Sequence, residues 1–230
     1  MKTPPPAALL LTPGASASRD QSALVAIDLA VSALGLRVER IDFPYRAAGR
    51  KRPDPAGLLV ATIVAAAGDL AGAAGAAPEA VALGGRSMGG RMCSVAVAEG
   101  LRAAALILVS YPLHPPGRPD KLRTEHFGRI NVPCLFVSGT RDAFGSPPEL
   151  EEATAAITAP VTHVWIDGGD HGLRRKDEIA AAAVAEWLGK LRHGKPDDGT
   201  NSWHWRQAAP NLGLQGRVPG LAVVAYEEMR

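Results

Sequence analysis

The chain has 230 residues, 47% of them hydrophobic. That is enough for one sizeable core, because single cores usually stop growing at about 250–300 residues. Charged residues make up 21% and the formal net charge is +2, a balance that argues against nucleic acid or a membrane surface as the main partner.

Cysteine usage and the N-terminus set further expectations. Cys93 and Cys134 each lie in an apolar run, which favours small core residues over a disulfide, and no zinc-ligand spacing occurs. We therefore expect no metal and no cofactor. The apolar run at residues 7–11 is shorter than the roughly 7–15 residues of a signal-peptide core. The apolar runs are also shorter than the roughly 20 residues of a spanning helix, so we expect a cytoplasmic protein without one.

Short apolar runs alternate with longer helical patterns along the chain. Strands are predicted at residues 7–11, 37–43, 80–83, 104–109, 132–137 and 161–166. Helices are predicted at residues 20–34, 56–73, 88–99, 148–157 and 177–191, with a basic loop at 46–55. This alternation predicts an α/β fold with a doubly wound, mostly parallel sheet of about six strands and helices on both faces.

The pattern stops before the end of the chain. We predict one domain over residues 1–194 and a C-terminal tail over 195–230, irregular or partly disordered, in which residues 221–228 could form a short helix or strand. Trp203 and Trp205 could pack this tail onto the domain.

Residues 85–89, Gly-Arg-Ser-Met-Gly, fit the G-x-S-x-G pattern of a nucleophilic serine, with a predicted strand before and a helix after. Ser87 would lie on a strained turn where neighbouring backbone leaves no room for Cβ atoms, so Gly85 and Gly89 fit. The N–H of Met88 would lie at a helix N-terminus, suited to an oxyanion. The alternative is a chance glycine-rich turn.

A nucleophilic serine needs a base and an orienting acid beyond the carboxyl ends of later strands. Asp142 follows the strand at 132–137, and His171 follows the strand at 161–166. A turn-capping role for Asp142 and a rival role for Glu149 stay open. Among the other histidines, His163 lies inside a predicted strand and is expected to be a packed or edge residue. Three more are expected on the surface or in the tail: His126, His193 and His204.

Other residues are weaker candidates for the site. A second oxyanion donor normally comes from the loop after the first core strand, which indicates the N–H of Ala15, although an ordinary turn is equally compatible. Arg86, His114 and Tyr45 are candidate substrate contacts. The basic loop at 46–55 would suit an anionic acyl group, but a solvated loop is the favoured interpretation.

Taken together, these motifs resemble the α/β-hydrolase superfamily in its dienelactone-hydrolase-like branch. More closely, they resemble the hydrolase-like family of testis-expressed protein thirty and NSL-complex subunit three. The resemblance covers residue 9 to about residue 191 and rests on segments 43–45, 49–53, 84–91, 110–117, 138–142 and 170–171. It implies the fold and the positions of Ser87, Asp142 and His171, but no substrate, and some members are regarded as scaffolds. Residues 12–15, Thr-Pro-Gly-Ala, depart from the His-Gly-Ala-Gly of relatives.

The sequence thus predicts a serine hydrolase of the carboxylesterase type that cleaves a small, accessible acyl substrate through an acyl-enzyme. Only about twenty residues separate the strands at 104–109 and 132–137, where lids are usually inserted, so a minimal cap is expected. Thioester or amide cleavage uses the same machinery. The alternative is a non-catalytic interaction module on the same fold.

Overall fold

A computed structural model describes residues 4–193, 201–207 and 223–227. Its strands are β1 Ala8–Thr12, β2 Arg37–Arg40, β3 Val81–Arg86, β4 Leu106–Val109, β5 Cys134–Gly139, β6 Val161–Ile166, β7 Asn201–Gln207 and β8 Val223–Glu227. Its helices are α1 Ser22–Ser32, α2 Pro44–Ala47, α3 Ala56–Ala74, α4 Met88–Ala98, α5 Pro147–Thr154 and α6 Asp177–Arg192.

The strands form one sheet in the order β2-β1-β3-β4-β5-β6-β7-β8. All neighbouring pairs from β2 to β7 are parallel, and only β8 runs antiparallel to its neighbour. This confirms the predicted α/β class with a doubly wound, mostly parallel sheet.

Each face of the sheet carries its own core. In β1, Leu9 and Leu11 point towards α1 and α6, whereas Leu10 points towards α3 and α4. Burial on both faces explains why the strands have continuous apolar runs instead of alternation. Cys93 and Cys134 are buried free thiols, as expected.

The strand order also positions the site. From β1 the chain moves outward to β2, then returns past β1 to add β3 on the other side. Ligands of open parallel sheets bind where the strand order reverses, beyond the carboxyl ends of the strands. The loop after β1 and the turn after β3 meet at this point.

The structure differs from the predictions in three places. Strand β2 ends at Arg40 because Phe43 and Pro44 lead into α2, within which Tyr45 is fully buried. Strand β7 falls in the segment predicted as an irregular tail, whereas β8 lies within residues 221–228, where a short helix or strand was predicted. In β7 only Trp203 and Trp205 alternate with polar residues, which is too weak a signal to predict a strand. The domain division at residue 194 stays a prediction.

The third difference concerns helix α3, because the apolar runs were expected to be shorter than a membrane-spanning helix. Among the described helices, it alone has the length, 19 residues, and the apolar composition to cross a membrane. One face of α3 is buried in the core through Leu59, Ile63 and Leu70. The opposite face exposes Leu58 and Val64.

Candidate active site

Ser87 forms the turn between β3 and α4, with φ 50° and ψ −116°. This backbone conformation is rare for a residue other than glycine and is typical of strained functional turns. A Cβ on Gly89 would lie 2.5 Å from the carbonyl oxygen of Pro13, and one on Gly85 would lie 2.6 Å from that of Thr12. Both glycines are therefore required for the loop after β1 to pack against this turn.

The side chains of Ser87, His171 and Asp142 lie in hydrogen-bonding contact. Ser87 Oγ is 2.9 Å from His171 Nε2, and His171 Nδ1 is 2.8 Å from Asp142 Oδ2 and 3.0 Å from Oδ1. The Asp142 side chain is 1% exposed and that of His171 is 21% exposed. A buried carboxylate facing Nδ1 keeps the proton there, which leaves Nε2 as an acceptor for the serine hydroxyl.

Tight packing between two loops brings the acid and the histidine together. Gly139, at the end of β5, lies against Gly169, which follows β6. The N–H of Arg141 donates to the carbonyl of Gly169 at 2.8 Å, and the N–H of Gly168 donates to Thr140 Oγ1 at 2.9 Å. The two loops therefore form one unit, although 29 positions separate Asp142 from His171.

Arg86 holds the histidine loop from the other side. Its guanidinium donates a hydrogen bond to the backbone carbonyl of His171, and the residue is 7% exposed. Burial lowers the pKa of Arg86 from its usual value, and nearby carboxylates, Asp142 first, offset part of that shift. The group remains cationic because arginine is not deprotonated in proteins. Arg86 was predicted as a substrate contact; it lines the cavity and also positions His171.

Phe144 is a site residue that the sequence analysis missed. Its ring stacks on the imidazole of His171, with ring centroids 3.9 Å apart and planes at 27°. Its N–H donates to Asp142 Oδ1 at 2.8 Å. Phe144 thus contacts both the acid and the base. An aromatic residue two positions after a candidate acid was the signal that could have identified it.

The predicted oxyanion donors flank Ser87. Met88 is the first residue of α4, so its N–H has no partner within the helix. Ala15 lies on the cavity wall, and its carbonyl accepts a 2.6 Å hydrogen bond from the Tyr45 hydroxyl. The neighbouring N–H of Gly14 donates to Gln21 Oε1 at 3.2 Å. These bonds fix the loop after β1 beside the serine turn.

Two predicted substrate contacts do not lie on the cavity wall. Tyr45 is fully buried and instead supports the Ala15 loop. His114 is 5% exposed; its Nδ1–H donates to the carbonyl of Pro115 at 2.9 Å, and its Nε2 lies 3.6 Å from Glu149 Oε1. Glu149, the rival acid, caps α5: hydrogen bonds from Ser146 hold the pKa of its carboxyl below the usual value.

The remaining histidines divide by burial. His163 is fully buried in β6, as expected, and His193 is exposed at the end of α6. The surface position expected for His126 is wrong: it is 2% exposed, packs on Phe127 and lies 2.8 Å from Ser94 Oγ. Burial lowers the pKa of both His126 and His163 to about 4, so both are neutral structural groups at pH 7.

An open cavity of about 580 Å³ faces the serine, a volume typical of small-molecule sites. Its walls come from the loop after β1, the serine turn, the segment between β4 and β5, and the acid and histidine loops. The lining residues are Gly14, Ala15, Ser16, Ala17, Gln21, Arg86, Ser87, Met88, Arg91, Pro112, Arg123, Phe144 and His171.

Solved structures share this fold. Est1E from Butyrivibrio proteoclasticus matches with a TM-score of 0.67 at 15% identity, over 82% of this chain and 89% of that one. Dienelactone hydrolase from Anabaena variabilis matches with a TM-score of 0.60 at 21% identity, over 83% and 88% of the two chains. A putative α/β hydrolase from Agrobacterium tumefaciens matches with a TM-score of 0.69 at 12% identity, over 85% and 88%. The fold is therefore that of the α/β hydrolases.

A family model described as an alpha/beta hydrolase domain matches residues 5–187. The chain belongs to this family.

Proposed function

We propose that the protein is a serine hydrolase of the carboxylesterase type, which cleaves an ester or related acyl bond of a small, accessible substrate. The observation that carries the proposal is the relay of hydrogen bonds, 2.9 Å from Ser87 Oγ to His171 Nε2 and 2.8 Å from His171 Nδ1 to Asp142 Oδ2, at the wall of an open cavity.

In the proposed reaction, His171 Nε2 accepts the hydroxyl proton while Ser87 Oγ attacks the ester carbonyl carbon. Asp142 stabilises the imidazolium that forms. The N–H groups of Met88 and Ala15 bind the negative oxygen. His171 then gives the proton to the departing alkoxide, which leaves an acyl-enzyme on Ser87. Water, deprotonated by the same imidazole, releases the acid product.

The cap supports a small substrate. The whole segment between β4 and β5 is described, and its only helical element is a short 3-10 turn, Phe127–Arg129. The Tyr111 hydroxyl donates to the carbonyl of Arg123 at 2.6 Å, and the N–H of Arg123 donates to the carbonyl of Leu113 at 2.9 Å. These bonds hold the segment in place, so the cavity stays open to solvent and does not enclose a long acyl chain.

A panel of p-nitrophenyl esters of graded chain length tests this proposal. We expect Ser87-dependent hydrolysis in which kcat/KM does not rise from the acetate and butyrate to the laurate, because added methylenes gain binding energy only in an apolar pocket. The measurement is p-nitrophenolate release with purified protein. No turnover of any ester above the uncatalysed rate would contradict the proposal and favour a non-catalytic interaction module.

We further propose that the chain lies in the dienelactone-hydrolase-like branch, near the family of testis-expressed protein thirty and NSL-complex subunit three. The motifs at 84–91 and 110–117 support this placement. We propose that it acts in the cytoplasm on a small-molecule acyl substrate, without a cofactor and without a nucleic acid or membrane partner, in keeping with its balanced charge.

A further inference from the structure

The charges on the cavity wall are all positive. Arg86, Arg91 and Arg123 line the cavity, and no Asp or Glu is among the lining residues. Arg86 already has partners, the carbonyl of His171 and the nearby carboxylate of Asp142. The other two arginines are the ones whose charge is available to a ligand.

Arg91 lies one helical turn beyond the nucleophile, since its backbone N–H donates to the carbonyl of Ser87 at 3.0 Å. Its Nη2 lies 3.5 Å from Glu125 Oε1, but the Glu125 side chain is 67% exposed, and such surface pairs are weak and screened by salt. The Nε of Arg91 is buried and has no hydrogen-bond partner within the described part of the protein. A buried donor without an acceptor is unfavourable until a ligand supplies one.

Arg123 approaches from the cap. Its backbone is held by hydrogen bonds to Leu113 and Tyr111, and its Nη1 donates to the carbonyl of Pro112 at 3.2 Å. The pKa of Arg123 lies below its usual value. Burial is the largest cause, and the positive charge of Arg91 lowers it further. Two guanidinium groups therefore repel each other beside the serine, and an anion placed between them would relieve the repulsion.

We propose that Arg91 and Arg123 form a subsite for a carboxylate carried by the substrate, so that the natural substrate is an anionic ester. This inference rests on the proposed esterase function. Planar guanidinium groups fit the two oxygens of a carboxylate, and such charge-assisted hydrogen bonds are roughly twice as strong as those between neutral groups. The carboxylate takes no part in bond breaking; it holds the scissile carbonyl beside Ser87.

Matched ester pairs test the subsite and show which half of the substrate carries the charge. p-Nitrophenyl hydrogen adipate and p-nitrophenyl hexanoate differ only in a terminal carboxylate on the acyl side. 4-Acetoxybenzoate and methyl 4-acetoxybenzoate place that difference on the alcohol side. In at least one pair we expect the anionic ester to have a kcat/KM roughly tenfold or more above that of the neutral ester, a size typical of charge-assisted hydrogen bonds.

Variants assign the preference to the two arginines. Arg91→Leu and Arg123→Leu are each expected to lower the ratio of anionic to neutral kcat/KM roughly tenfold. Arg102→Leu removes the same charge from a side chain that is 64% exposed, pairs with Glu79 and precedes β4 at the opposite edge of the sheet; it should leave the ratio unchanged. In the wild type, raising the salt concentration should slow hydrolysis of the anionic ester more than that of the neutral one. This last measurement needs no variant to fold.

The outcomes separate the two proposals. Ser87-dependent hydrolysis of the neutral esters without preference for either anionic ester would overturn the subsite and leave the esterase intact. A preference that persists in both arginine variants, or that salt does not weaken, would also overturn the subsite. Absence of Ser87-dependent hydrolysis of all four esters would overturn both proposals.

Discussion

Replacing Ser87 with alanine should reduce kcat for p-nitrophenyl butyrate by about 10⁴–10⁶-fold, because the reaction then loses its nucleophile and the remaining groups cannot form an acyl-enzyme. The substitution removes a single oxygen. Alanine must adopt the same φ of 50° that serine adopts, so the strain of the turn is the same in both proteins. The measurement is steady-state hydrolysis, with the melting temperature recorded to show that the variant is folded.

Ser32→Ala is the matched control. Ser32 lies exposed at the end of α1, where its hydroxyl bonds to Asp28, far from the cavity wall. We expect its kcat to equal that of the wild type. A folded Ser87→Ala protein that retains more than a few per cent of wild-type kcat would show that another group is the nucleophile.

Replacing His171 with glutamine should lower kcat by about 10³–10⁶-fold, because an amide cannot take the proton from Ser87 at neutral pH. The buried Asp142 carboxylate, 1% exposed, would still accept a hydrogen bond, because the glutamine amide can donate one. The hydrogen bond from Arg86 would also persist, since it ends on the backbone carbonyl of residue 171. We therefore expect the loop to keep its position while chemistry is lost.

The control for this change is His193→Gln, at an exposed position after α6. It should leave both kcat and KM unchanged. If His171→Gln instead raised KM and left kcat unchanged, the residue would bind substrate without acting as a base. Ser87, His171 and Asp142 would then not act as a catalytic triad.

Much of the fold could be predicted because parallel strands covered on both faces leave continuous apolar runs. Strand β6 is predicted at its observed bounds, and α3 ends within one residue of its predicted end, at a glycine with φ 61°. Strand β7 could not be predicted, since its placement beside β6 depends on tertiary pairing and its own sequence alternates only at two tryptophans.

The position of Ser87 could be predicted from the Gly-x-Ser-x-Gly motif, and those of Asp142 and His171 from the topology. Parallel strands end at one edge of the sheet, so residues that follow β3, β5 and β6 gather there. Arg123 could not be predicted, because its contact with the site comes from the folding of the segment between β4 and β5. For Phe144 the only sequence signal was its position two residues after the candidate acid Asp142.

Tyr45 and His114 show the limit of the same reasoning. Each follows a strand end and carries a group suited to binding a ligand, yet each is buried behind the wall that the ligand would touch. Tyr45 acts on the site only through its 2.6 Å hydrogen bond to Ala15. Whether a residue near a strand end faces the cavity or supports it depends on side-chain direction, which the sequence pattern leaves open.

The most direct test of Ser87 as an activated nucleophile is covalent labelling of the wild-type protein with a fluorophosphonate, followed by proteolysis and mass spectrometry of the peptides. We expect one adduct per chain, on Ser87, formed much more slowly in His171→Gln because the imidazole activates the hydroxyl. An unlabelled Ser87 in the folded wild-type protein, or an adduct confined to another residue, would contradict this role.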